Sequence, residues 1–243
     1  LEKFSTIRFI ALFPDLLALL WDAAQRASIT ARGFAGGWML EFAQACAAWL
    51  AQRPEEACVR AAAELQTALL EHPVPVTHGD GAEPKALAWL QPLLQTPDRS
   101  ALAAPLAAVA PGLNWFEPPP GELKQHLGGR NCMTQLVGPA DRSTSRGIRF
   151  GTFLIAPEAY YPRHVHGAEE LYVLIAGAGR WSYDGNPYET RNAGDVVRSA
   201  SWQPHAIRTG DEALLMAWIW MGDISFDSYR MEADLDDAEE DPS

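Results

Sequence analysis

The chain has 243 residues, an apolar fraction of 48% and a formal charge of -12. That length and apolar content can build a real hydrophobic core, in one large domain or two small ones, and exclude a chain disordered throughout. The acidity argues against nucleic acid or an anionic membrane as the main partner, since either needs a basic face, and leaves a small-molecule substrate.

The N-terminal run "FIALFPDLLALLW" is interrupted by Pro14 and Asp15 and is too short for a membrane span. A chain that begins with Leu leaves a removed leader open. From Pro14 to about Ala110 apolar residues recur every three or four positions. "PDLLALLWDAAQRA", "WMLEFAQACAAWLAQ", "PEEACVRAAAELQTALL", "KALAWLQPLLQ" and "RSALAAPLAAVA" are predicted amphipathic helices, with Pro14 and Pro54 suited to first turns. The joints "EHPVPVTHGDGAEP" and "TPD" carry turn chemistry.

After "APGLNWFEPPPGE" the pattern changes to short β-branched and aromatic runs punctuated by glycine and proline. "IRFGTFLIA", "ELYVLIAG", "GRWSYDG", "DVVRSA", "HAIRTG" and "ALLMAWIWMG" follow at the spacing of an antiparallel barrel or sandwich. The last stretch, "MEADLDDAEEDPS", holds seven acids and almost nothing apolar, and is read as a frayed, solvated tail. The expectation is an α+β protein, with a helical region over 1–111, an antiparallel β-barrel over 112–229 and an acidic tail over 230–243. Cys46, Cys58 and Cys132 are scattered, which suggests neither a disulfide framework nor a zinc ribbon and fits a reducing, cytoplasmic setting.

Of six histidines, His72, His78 and His126 stand alone and are assigned no role. The other three lie in the β half. On an extended strand His164 and His166 point the same way, and Glu170 and Tyr172 keep that parity. On a small barrel that side is the interior, where imidazole and carboxylate are costly to bury without a compensating partner such as a divalent metal. His205, from "SWQPHAIRT", completes the candidate ligand set His164, His166, Glu170 and His205. Imidazoles with a carboxylate suit one divalent transition ion, Zn, Fe, Mn or Ni, and the sequence does not choose among them.

His164, His166, Glu170 and Gly177 resemble the first motif of the cupin superfamily, and Gly194-Asp195 with Pro204-His205 resembles the second, over about residues 145 to 222. Two departures weigh against a generic sugar-isomerase or dioxygenase cupin. Glu158 stands where a glycine often precedes the first histidine, and Pro204 directly precedes the histidine of the second motif. Within cupins, "YPRHVHGAEELY", the helical N-terminal half and the Trp-bearing last strand are most similar to bacterial dimethylsulfoniopropionate (DMSP) lyases.

That resemblance implies cleavage of DMSP to acrylate and dimethyl sulfide. It makes His166, Glu170 and His205 metal ligands, His164 a further ligand or close neighbour, and Tyr172 the general base. Tyr161 would be a second catalytic tyrosine lining the substrate pocket with Trp220. A free tyrosine, with a pKa of about 10, is a poor base at neutral pH, but a neighbouring divalent cation favours its phenolate. Aromatic faces attract a sulfonium by about 0.5 to 2 kcal/mol, and Trp218 and Trp220 share one face of the last strand. The helical half carries no motif; it is open to roles as a cap, a lid or a homodimer surface. The alternatives are another cupin metalloenzyme acting on a small carboxylate, or a ligand-binding regulatory cupin.

Overall fold

The computed structural model describes residues 40–71, 83–117, 127–140, 142–144 and 146–232. The predicted helix over 14–27, His72, His78, His126, most of the joint over 71–84 and the tail from 233 lie outside the described residues.

Helix α1 (Glu41–Leu50) buries Phe42, Ala43, Cys46, Ala47 and Leu50, one stripe at helical spacing. Helix α2 (Glu56–Glu71) buries Cys58, Ala61, Ala62 and Leu65 against it. It begins two residues after Pro54, because Glu55 accepts the first bonds from Cys58 and Val59. "KALAWLQPLLQ" does not form one helix: a 3-10 segment over Lys85–Trp89 runs into α3 (Leu90–Gln95). Pro92 has no N–H for Ala88 and its ring crowds that carbonyl, so an α-helix can begin only where Pro92 falls in the first turn. Pro105 restricts α4 (Ala103–Val109) in the same way, and its start is later than the periodicity suggests.

Among the described residues ten strands follow: β1 (Asn131–Met133), β2 (Gly147–Ile155), β3 (Tyr160–Val165), β4 (Ala168–Ala176), β5 (Ala178–Tyr183), β6 (Glu189–Asn192), β7 (Val196–Ser199), β8 (His205–Thr209), β9 (Leu214–Gly222) and β10 (Arg230–Met231). They form two antiparallel five-stranded sheets, ordered β1-β2-β9-β4-β7 and β10-β3-β8-β5-β6.

The first sheet is buried on both faces, and strand alternation sorts its apolar residues. Leu171, Val173 and Ile175 of β4, with Leu215, Ala217, Ile219 and Met221 of β9, join the helices in one core. Tyr172 and Leu174, with Met216, Trp218 and Trp220, face the other way into the barrel. Burying Leu171, Val173 and Ile175 stabilises the fold by roughly 2 kcal/mol per side chain. The described helices therefore cover the outer face of this sheet, and none of their residues joins the interior cluster. Glu169 ties the layers together, accepting from Arg60 of α2 and, at 2.6 Å, from Arg198 of β7.

Two local features aim the interior. Gly177, the glycine of the first motif, has φ +79, and a Cβ there would lie 2.0 Å from the carbonyl oxygen of Ala213. Only glycine allows the chain to turn from β4 into β5 so close to β9. In β3 the register against β8 shifts between Tyr161 and His164. Pro162 supplies no N–H to the ladder, and the bulge there lets Tyr161 and His164, three residues apart, share the inner face. Their rings stack at 4.1 Å.

Candidate metal centre

His164 comes from β3, His166 from the turn after it, Glu170 from β4 and His205 from β8. All four are buried, and one ligand atom from each lies within 4.8 Å of the others. Nδ1 of His164 lies 2.8 Å from the Pro162 carbonyl, Nδ1 of His166 3.0 Å from that of Ala168, and Nδ1 of His205 2.8 Å from that of Gln203. A carbonyl only accepts, so each Nδ1 carries the proton and each Nε2 presents a lone pair.

Those lone pairs converge on a carboxylate. Glu170 Oε2 lies 3.2 Å from Nε2 of both His166 and His205. Nε2 of His164 and of His205 makes no aligned hydrogen bond. Burial opposes ionisation of Glu170, and a positive charge beside it, at His166 and His205, holds the carboxyl well below the usual range. Burial, reinforced by His205 and His166, pushes the His164 imidazole well below its ordinary value and keeps it neutral. Three imidazoles, each with Nδ1 held by a carbonyl and Nε2 turned inward, and one carboxylate are a donor set that fits a divalent cation.

The aromatic residues surround this cluster. Tyr172 of β4 lies on the same strand face as Glu170, two residues on, and burial followed by that carboxylate raises its phenol well above the usual value. Tyr161 packs edge-on to Phe153 at 5.6 Å and accepts a 3.2 Å hydrogen bond from the Tyr229 hydroxyl. Trp220 donates through Nε1 to Glu170 Oε1 at 2.7 Å and lies over His166 at 4.5 Å. Trp218 uses its indole N–H on the Thr134 carbonyl, at 3.1 Å.

Two neighbours escape the sequence reading. Tyr229, whose ring stacks 5.3 Å from His164, arrives on a segment whose only strand is the two-residue β10, too short to leave a period. Tyr183, 6.4 Å from His205, alternates with the inward Trp181 in "GRWSYDG", and that alternation was the available signal.

Two antiparallel sheets enclosing a buried three-histidine, one-glutamate group define a cupin-like fold with a cluster that could hold a metal ion. A model of the dimethylsulfoniopropionate lyase family matches residues 55–216, more than half of the chain, and the chain belongs to that family. It is 33% identical over 89 residues to dimethylsulfoniopropionate lyase DddQ of Ruegeria pomeroyi; this stretch is 37% of the chain and spans 44% of that relative's length. The crystal structure of DddQ from the same organism superimposes with a TM-score of 0.52 at 22% identity, covering 72% of this chain and 98% of that one. A chain from the crystal structures of the DMSP lyases RdDddP and RnDddQII gives 0.57 at 20% identity, covering 81% and 98%. At these identities the two superpositions show the shared fold. Among the described residues no helix is long and apolar enough to cross a membrane.

Proposed function

We propose that this chain is a metal-dependent carbon-sulfur lyase that cleaves DMSP to acrylate and dimethyl sulfide by β-elimination. The observation that carries the reading is the buried Tyr172, two residues from Glu170 on the same strand face, beside a buried group of three imidazoles and a carboxylate. His164, His166, Glu170 and His205 would hold a divalent cation, which supplies Lewis-acid polarisation of the substrate carboxylate and a field that favours the Tyr172 phenolate. Which divalent ion is bound does not follow from this donor set.

Tyr172 takes the proton from the carbon next to the carboxylate. The C–H electron pair becomes the new double bond, the carbon-sulfur bond breaks, and sulfur leaves with the electron pair of that C–S bond as neutral dimethyl sulfide. Tyr161 and Trp220, both buried beside the cluster, exclude water, and their faces, with that of Tyr229, favour the sulfonium over a neutral group. Trp220 also aims the glutamate through its hydrogen bond. The three buried, unpaired cysteines support a reducing, cytoplasmic setting.

The test is dimethyl sulfide release, followed by headspace gas chromatography, from metal-analysed protein mixed with DMSP, with a chelated sample beside it. Gas that disappears on chelation is the expected result. No gas across zinc, iron, manganese and nickel would remove the substrate assignment, and oxygen uptake with other small carboxylates would move the chain to a dioxygenase reading.

A further inference from the structure

The interior holds polar groups that neither the ligand cluster nor the proposed base uses. Ser199 of β7 is fully buried and pairs in register with Glu170. Tyr183 of β5 pairs in register with His205. The Tyr183 hydroxyl and Ser199 Oγ are both buried, and neither makes an aligned hydrogen bond. They are near enough for the serine hydroxyl to oppose the upward push that burial gives the Tyr183 phenol, and Tyr183 in turn acts on Tyr172. One inward step along β5, the fully buried Trp181 also has an indole N–H without an acceptor.

Burying a hydroxyl without a partner costs free energy, and apolar replacements of the same shape avoid that cost. A corner with unpaired donors beside the ligand cluster is therefore complementary to an acceptor that arrives with the ligand. The two ends of DMSP differ sharply in this respect. A sulfonium has no proton to donate and, being cationic, does not accept one; a carboxylate accepts through both oxygens. The stacked rings of Tyr161, His164 and Tyr229 lie on the β3 and β10 side of the cluster, away from β5 and β7.

We infer that Tyr183 and Ser199 form a carboxylate receptor, donating hydrogen bonds to the carboxylate of a short-chain acid and fixing which end of the substrate enters the β5–β7 corner. This deepens the lyase reading and rests on it for the identity of the substrate's other end. The pair makes a free carboxylate a requirement for binding.

Isothermal titration of the metal-loaded protein with propionate, and separately with trimethylsulfonium, tests this. Tyr183→Phe and Ser199→Ala are each expected to weaken propionate binding on the order of tenfold, as for a hydrogen bond to a charged group. Trimethylsulfonium binding should not change, and the melting temperature should hold or rise as an unpaired hydroxyl is removed. Unchanged propionate affinity, equal losses for both probes, or no propionate binding by the parent protein would overturn the receptor. Propionate binding that depends on both hydroxyls, in a protein that releases no dimethyl sulfide, would sink the lyase reading and leave the receptor standing.

Discussion

Trp220 Nε1 donates a 2.7 Å hydrogen bond to Glu170 Oε1, the carboxylate oxygen opposite the one that faces His166 and His205. The indole thereby sets the rotation of the carboxylate about its own axis. Trp220→Phe keeps the ring against His166 and removes only the donor. Metal affinity should fall about 10- to 100-fold, as for other groups that orient a ligand. Competition with a chromophoric chelator measures it; an unchanged affinity would confine Trp220 to packing.

Tyr172→Phe removes one hydroxyl from a buried ring and leaves the four ligand side chains in place. The expected outcome is full metal content with turnover lower by a factor of about 100 or more, the usual contribution of a positioned general base. Near-normal turnover would exclude Tyr172 as the base.

Glu169 sits next to the candidate ligand Glu170 in sequence but points to the opposite side, toward Arg60 and Arg198. Burial raises its carboxyl, yet Arg198 and Arg60 outweigh burial and hold it below the usual value. A lowered carboxyl stabilises the fold at pH above its unfolded value of about 4.3, and this contribution is lost as pH falls through the lower folded value. Both arginines are partly solvated, so Glu169→Gln should cost about 1 kcal/mol at pH 7. Melting curves of parent and variant should converge as pH is lowered from 5 through the acidic range, with metal content unchanged at pH 7.

Trp202 has φ +62, a left-handed conformation that strains a bulky side chain, and its N–H donates to the His166 carbonyl at 2.9 Å. Its side chain is half exposed. Trp202→Gly should nevertheless lower stability by about 1 kcal/mol, because the contacts of a half-buried indole and the added freedom of glycine in the unfolded chain outweigh the relief of strain. A rise in the urea midpoint would show that the strain outweighs the indole's contacts.

Much of the site was legible because a strand has a period of two. His164, His166, Glu170 and Tyr172 share parity, and imidazoles with a carboxylate on an interior face have few chemical explanations. The change from helical to strand spacing near residue 112 likewise followed from side-chain pattern alone. Where the periodicity misled, proline was the cause: Pro92 split one predicted helix, Pro105 delayed another, and Pro162 bulged β3. Strict alternation puts Tyr161 and His164 on opposite faces, and the bulge puts their rings in contact.

By itself, then, the sequence determined the order of helical and strand segments, the four candidate ligands and the tyrosine beside them, since these depend on local spacing and residue chemistry. Tertiary structure alone decided which sheet face the described helices cover, which carboxylate oxygen Trp220 holds, and that Tyr229, Tyr183 and Ser199 reach the interior. Each of those depends on pairing between segments far apart in the chain, where register and a single bulge, rather than any local pattern, set which atoms meet.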